Sequence, residues 1–437
     1  MKPRIYLSIL LCLLLLLPLT LGCWGFLLPC QYEDTFMGEL KYKVRMLEDT
    51  PGPRIILAGG SAVAFGVDSE ALERELPGYH VVNFGMYAAL GTTVMMDLSE
   101  PFLRPGDIVV LMPEQQAQTL SDWFDPEIMW QGLDGAFSLL KYLPREKLRG
   151  LLGTFPAFAG DKLRFFLQGT PPQPQGVYAK SSFNTRGDVY SPLCDRNRMP
   201  GGYDKNTPIR FDGAVVTTEF LDRAEQYARA AEARGATVYY AMCPMNRSAV
   251  RGAADVEDFC ELLADRLSIP LIGDPRDSLM DEGWFYDTNF HLNTSGRQVY
   301  TAVLTDSLKA VLGDSSPTLL SLPVMPEPED AELWQGDDRD GDLFTYTPQG
   351  DAWTVTGLTS EGLTRDTLTV PSTWQGAPIT TIGPGAFGES QALRSVRIQQ
   401  NIRSIADGAF SGCVSLTEIV LEQPAPSSCR VGQGLLE

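Results

Sequence analysis

The stretch Arg54-Ile55-Ile56-Leu57-Ala58-Gly59-Gly60-Ser61 joins a short apolar run to two glycines and a serine. A run of this length without helical period, closed by glycines, predicts a buried strand that empties into a tight loop. Tyr79 to Met86 and Asp107 to Met112 repeat the pattern, and the sequence between them predicts helices around Ser69 to Leu76 and Thr92 to Phe102. Strand and helix alternating in this way predict a parallel sheet, because each crossover helix returns the chain to start the next strand in the same direction.

The same rhythm resumes downstream. Phe220, Leu221, Ala224, Tyr227, Ala228 and Ala231 share one helical face, Gly235 stops that helix, and Thr237 to Cys243 reads as a strand. Asp255 to Arg266 and Ile269 to Ile272 predict one more helix and strand, and Asn293 is placed to cap a final helix carrying Val299, Val303, Leu304, Leu308 and Val311. The expected fold class is therefore α/β, a three-layer α/β/α parallel-sheet domain over residues 33–312. Residues 121–210 interrupt the alternation with aromatic clusters, the Pro-rich Thr170 to Pro174 and many Gly and Asn, so they read as an insertion over one end of the sheet.

Composition narrows the classes of function. The chain of 437 residues carries 35 Lys plus Arg against 55 Asp plus Glu, a net charge of −20, which repels a phosphate backbone and argues against nucleic acid as a partner. Nine acids and one base, Arg339, lie between Gly313 and Leu343, so residues 313–342 read as an acidic, solvated linker. The cysteines stand at 12, 23, 30, 194, 243, 260, 413 and 429, with no Cys-x-x-Cys pair and no histidine cluster, so no metal and no other cofactor is expected.

From Ile5 to Tyr32 no charged residue occurs, Lys2 and Arg4 precede this run, and Glu33 and Asp34 follow it. Its length and flanks predict a transmembrane helix over residues 1–32, single-pass in the cell membrane, with the C-terminal body outside the cytoplasm. Thr20-Leu21-Gly22-Cys23 keeps a cleaved, secreted or lipid-anchored form as the alternative.

The C-terminal part repeats. Ile382 and Ile405, Phe387 and Phe410, Leu393 and Leu416, Val396 and Ile419, and Ile398 and Leu421 are each 23 residues apart. A period of that length with apolar stripes is what a solenoid needs, because each coil buries its apolar edge against its neighbours. The strings IGPGAFGESQALRSVRI and IADGAFSGCVSLTEIVL resemble leucine-rich repeats of the BspA surface-antigen type over residues 343–437. Leu343 to Val370 and the tail to Glu437 are expected to act as caps, and the resemblance implies a protein partner for the module.

Ser61, directly after the first strand, is placed to be a nucleophile, but a serine hydroxyl needs a base to take its proton. The chain has two histidines. His80, in Pro77-Gly78-Tyr79-His80, opens a strand at the opposite end from Ser61. His291, in Tyr286-Asp287-Thr288-Asn289-Phe290-His291-Leu292-Asn293, precedes the last helix and faces the same sheet edge as Ser61.

Gly59-Gly60-Ser61, Gly85 after the second strand and the Asp287/His291 pair resemble the SGNH hydrolase superfamily. Within it the likeness is to the membrane-anchored branch that adds or removes acyl groups on envelope polymers, as in alginate O-acetylation and teichoic-acid D-alanylation. The resemblance implies Ser61 as nucleophile, His291 as general base, Asp287 as the group that orients it, and an oxyanion site built from N–H groups near Ser61 and at Gly85. Two departures stand out. Asp287 precedes His291 by four where the family has three, with Asp281 as the lesser substitute, and the third strand leads into Glu114 where the family supplies an Asn. Glu114 is then assigned to a substrate hydroxyl or to solvent, and Asn83 or Asn184 to the missing amide, with a turn-forming role as the alternative for Asn184 and Asp188.

The functional expectation is an extracytoplasmic acyl-ester hydrolase or O-acyltransferase. Its substrate or acyl acceptor would be a polysaccharide or other envelope polymer, with a polytopic membrane partner as acyl donor in the transfer case. The competing expectation is a non-catalytic adhesion protein with a degenerate α/β domain and partner-binding repeats.

Overall fold

The computed structural model describes residues 16–174, 176–326, 338–350, 352–375, 377–388, 390–399, 402, 404–421 and 430–431. They divide into two compact units, Met1–Asn197 with Tyr203–Pro326, and Arg198–Gly202 with Glu327–Glu437.

The first unit is built on a four-stranded parallel sheet. Its strands β1 (Arg54–Gly59), β2 (His80–Gly85), β3 (Ile108–Met112) and β4 (Thr237–Tyr240) lie in the order β2-β1-β3-β4. Every residue of β1 and β3 is buried, which explains why both read as unbroken apolar runs rather than alternating ones. The register pairs Gly59 with both Gly85 and Met112, so the loops after β1, β2 and β3 leave the same edge of the sheet side by side. In parallel sheets this carboxyl edge is where ligand sites form. At the opposite edge Arg54, fully buried, donates from Nε to Asp107 Oδ1 at 3.1 Å and from a terminal nitrogen to the Phe102 carbonyl at 2.7 Å, the pairing a buried charge requires.

Helix α1 (Leu40–Asp49) packs near β2. The short helices α2 (Ser61–Gly66) and α3 (Ser69–Glu75) fill the first crossover, and α4 (Thr92–Ser99) fills the second. Within residues 121–210, α5 (Pro126–Leu133) and the long α6 (Arg145–Gln168) pack together, and loops follow. The amphipathic α7 (Thr218–Ala233) buries Phe220, Leu221, Ala224, Tyr227 and Ala231. Asp255 and Asn293 cap α8 (Val256–Arg266) and α9 (Thr294–Leu312), each by accepting backbone N–H groups.

Two expectations are corrected. The chain is a mixed α/β protein with several small sheets rather than a three-layer α/β/α sandwich. The strand expected at Ile269 to Ile272 shrinks to an isolated bridge between Tyr240 and Leu271, since Pro270 has no N–H to lend a ladder and supplies its carbonyl to Tyr240 N at 2.9 Å. A separate two-stranded sheet, β5 (Met245–Asn246) with β6 (Leu279–Met280), lies beyond it.

The transmembrane helix over residues 1–32 is the second correction. Among the described residues no helix is long and apolar enough to cross a membrane, so the single-pass placement in a cell membrane loses its support; residues 1–15 lie outside the described ones. The end of that apolar run instead finds partners inside the unit. Phe26 stacks on Phe155 at 4.9 Å and meets Phe137 edge-on at 4.9 Å, and the buried Lys162 donates to the Gly25 carbonyl at 2.9 Å.

The second unit is a solenoid. In chain order its strands are β7 (Phe344–Gln349), β8 (Ala352–Leu358), β9 (Thr367–Val370), β10 (Thr373–Trp374), β11 (Ala377–Ile382), β12 (Ser395–Ile398), β13 (Ser404–Ile405), β14 (Glu418–Leu421) and β15 (Arg430–Val431). One sheet runs β14-β12-β9 and another β15-β13-β11-β8-β7. Val396 pairs with Ile419 and Ile382 with Ile405, so the offset of 23 read from the sequence is the parallel register itself. Leu368 pairs with Val396, which places β9 in the repeat stack. Phe387 and Phe410 stack face to face at 4.4 Å in a core with Val355, Leu393 and Ile398.

Candidate active site

Ser61 opens α2 immediately beyond β1, with Gly60 extended at the helix start, and its residue is only 3% exposed. One turn further on the same helix, Phe65 is buried beneath the site. The third participant arrives from the far end of the unit. Phe285 and Leu292 form an antiparallel bridge, and Tyr286 N donates to the His291 carbonyl at 2.8 Å, closing residues 285–292 into a tight loop. Inside it the Thr288 hydroxyl accepts from Phe290 N at 3.2 Å and His291 N at 3.1 Å. That local turn takes up the extra residue between Asp287 and His291 and still lets the carboxylate face the imidazole.

The side chains meet at hydrogen-bond distance. Ser61 Oγ lies 2.8 Å from His291 Nε2, and His291 Nδ1 lies 2.8 Å from Asp287 Oδ1. A proton on Nδ1 satisfies Asp287 and leaves Nε2 to accept from the serine, the tautomer a general base needs. Asp287 is held from the other side by Tyr178, whose hydroxyl donates to Oδ2 at 2.7 Å and lies 3.2 Å from His291 Nδ1. Burial, followed by the neighbouring Asp287 charge and hydrogen bond, raises the Tyr178 phenol well above its ordinary range, so it remains a donor. Tyr178 belongs to the irregular residues 121–210, where no sequence signal singled it out. Phe65 was within reach, four residues from Ser61 on a helix.

Glu114, in the loop after β3, occupies the remaining side of the Ser61 hydroxyl. Its Oε1 accepts the Ala62 N–H at 2.8 Å and lies 3.0 Å from Ser61 Oγ. Gly60 makes this approach feasible, since a Cβ there would stand 2.7 Å from Oε1 and 3.3 Å from the Ala88 Cα. Glu114 is 3% exposed, so it does not face solvent. An ionised carboxylate about 3 Å from an oxyanion would oppose it by ~5 kcal/mol at an effective dielectric near 20.

The other expected contributors lie elsewhere in the hydrogen-bond network. Asn83 donates its amide to the Val63 carbonyl and to Asp188 Oδ1, both at 2.9 Å, and accepts the Gly85 N–H at 3.0 Å. Both are therefore engaged with each other rather than with the space above Ser61. Gly85 is needed for close packing instead, since a Cβ there would sit 2.6 Å from Ala64 N. Asn184 forms a turn, accepting from Arg186 N at 2.9 Å and donating to Asp188 Oδ2 at 3.1 Å. Asp188 in turn receives Ser69 N at 3.0 Å. His80 contacts Glu73 at 3.2 Å at the opposite edge, and Asp281 pairs with Arg247 at 3.0 Å on the surface. The Ser61 N–H is the first of α2, a position with no intrahelical acceptor, and so is a backbone donor beside the Ser61 hydroxyl. Among the described residues no three His, Cys, Asp or Glu side chains gather into a metal-binding group.

Residues 367–429 match the family model for the BspA type Leucine rich repeat region (6 copies), so the C-terminal repeats are leucine-rich repeats of that type. Among solved structures, a T. pallidum leucine-rich repeat protein is 26% identical, with 20% of this chain and 40% of that one covered and a TM-score of 0.18. Protein YXIM from Bacillus subtilis is 12% identical, with 60% of this chain and 58% of that one covered and a TM-score of 0.29. The chain thus spans less than two thirds of either structure. No curated protein matches it.

Proposed function

We propose that the first unit is a serine-dependent acyl-ester hydrolase or O-acyltransferase of SGNH type. Ser61 is the nucleophile, His291 the general base and Asp287 its orienting partner. The observation that carries this reading is the continuous chain of 2.8 Å contacts from Ser61 Oγ through the imidazole to Asp287 Oδ1, assembled from residues 230 positions apart. A hydroxyl so placed loses its proton to Nε2 as it attacks an acyl carbon, and His291 returns that proton to the leaving oxygen. Water as acceptor gives hydrolysis and a sugar hydroxyl gives transfer, with a glycan or related polymer as substrate and a separate acyl-donor protein in the transfer case.

Fluorophosphonate labelling tests the reading. The wild type is expected to be modified and Ser61→Ala to be inert, while equal modification of both would remove Ser61 from the chemistry.

The second reading is a non-catalytic interaction protein. What favours it is the Glu114 carboxyl at the place of an oxyanion donor, together with a repeat class that generally serves protein contacts. It predicts that His291→Ala leaves the phenotype intact while removal of residues 343–437 abolishes it.

A further inference from the structure

The Ser61 hydroxyl has one proton and two acceptors in reach, His291 Nε2 at 2.8 Å and Glu114 Oε1 at 3.0 Å. Glu114 is almost wholly buried, and among the described residues its carboxyl is bonded by Ser61 and Ala62 and has no ion pair. A lone buried charge is costly, and a charged carboxylate beside a forming oxyanion works against the reaction. We propose that Glu114 and His291 share one proton through the Ser61 hydroxyl, and that attack proceeds when Glu114 holds it as a carboxylic acid and hydrogen-bonds the oxyanion with it. The inference rests on the acyl-transfer reading above.

Two arrangements carry the same number of protons. In the idle one Glu114 is ionised and accepts the Ser61 O–H. His291 then bears hydrogen on both nitrogens, one toward Asp287 and one toward Oγ, so the base is already occupied. In the competent one a proton has passed from Nε2 to Oγ and from Oγ to Glu114, and Nε2 is free. The Oγ lone pair then forms the bond to the acyl carbon, the Oγ proton moves to Nε2, and the carbonyl π pair moves onto oxygen. That oxygen accepts hydrogen bonds from the Glu114 O–H and the Ser61 N–H. Collapse restores the carbonyl and expels the alcohol oxygen, which takes the proton from Nε2.

The surroundings leave this pair as the groups that exchange protons. Asp287 and Tyr178 face the imidazole, and Phe65 covers its plane. Tyr87, from the loop after β2, and Cys243, from the segment after β4, lie within the electrostatic reach of the carboxyl. Both are pushed up, by burial first and then by the Glu114 charge, so they keep their protons. No lysine or arginine is bonded to Glu114 among the described residues.

The test is the pH dependence of fluorophosphonate labelling of the full chain, with Ser61→Ala as control. Wild type should label in a bell, falling at low pH when both groups are protonated and at high pH when neither is. Glu114→Gln supplies an amide donor that does not titrate, so its alkaline fall should vanish and it should label at least about tenfold faster than wild type at the alkaline end. Glu114→Ala should label about 10²-fold more slowly throughout, with thermal melting to show that each variant is folded. A carboxylic-acid stretch present in the infrared spectrum of wild type and missing from Glu114→Gln would locate the proton independently. An alkaline fall that persists in Glu114→Gln, with wild type labelled at Ser61, overturns the shared proton and leaves the acyl-transfer reading standing. No labelling of wild type at any pH overturns both.

Discussion

The imidazole of His291 lies flat on the ring of Phe65, with centroids 4.1 Å apart and planes 4° from parallel. Phe65 stands four residues after Ser61 on α2, so the helix that carries Ser61 also carries the ring on which His291 rests. A stacked ring opposes tilting of the imidazole out of its plane, which keeps Nε2 aimed at Oγ.

Truncating that platform should therefore affect reactivity as well as stability. Phe65→Ala is expected to cost ~3–5 kcal/mol in denaturant unfolding, as for a buried aromatic. Phe65→Leu should cost only about 1 kcal/mol and yet slow Ser61 labelling by about 10–100-fold. A leucine variant that labels at the wild-type rate would reduce Phe65 to a core residue.

Asp287 and Tyr178 should separate by magnitude. Asp287→Asn offers the imidazole an amide in place of a carboxylate and is expected to slow labelling by roughly 10⁴-fold, through the wrong tautomer. Tyr178→Phe removes one bond to Oδ2 and leaves Asp287 in place, so a loss of about tenfold is expected, equivalent to ~1.4 kcal/mol. Stopped-flow labelling of both variants checks the ranking.

Acid should loosen the N-terminal part of the first unit. Burial alone would raise the Glu33 carboxyl, but hydrogen bonds from Lys180, Lys41 and Tyr42 outweigh it and hold the group at about 2, below its ordinary 4.5. The folded chain binds this proton less readily than the unfolded one. The stabilisation is therefore complete above about pH 4.5 and disappears as pH falls toward 2. Urea unfolding at a series of pH values should show a shallower acid decline in Glu33→Gln than in wild type.

In the solenoid, Phe410 is fully buried against Phe387. Phe410→Ala should cost ~3–5 kcal/mol and expose the amides of β12 and β13 to exchange. Hydrogen exchange of the full chain measures this directly, and unchanged protection at Ser395–Ile398 would show that the stack is dispensable.

Much of the site was visible along the chain because rare residues carried it. With two histidines, and one of them beside Glu73 at the opposite sheet edge, His291 was the remaining imidazole that could meet Ser61. The offset of 23 was legible because a solenoid's register is its sequence period. Gly85 donates to Asn83, and the Asn83 amide to Val63 and Asp188; a glycine or an amide at the sheet edge reads the same along the chain whether its partner is a ligand or the fold itself.

Residue type and short-range period alone determined β1 to β4, their common carboxyl edge, the Ser61 loop, the Asn293 cap and the repeats. These depend on interactions within a few residues, or on a repeat that maps directly onto strand pairing. The tertiary structure alone decided that Phe26 packs on Phe155, that Pro270 ends the sheet, that Tyr178 steadies Asp287 and that Glu114 sits against Ser61. In each of those cases the outcome depends on which of several donors, acceptors or apolar faces arrives within reach once distant segments have folded together, and that competition is settled in space rather than along the chain.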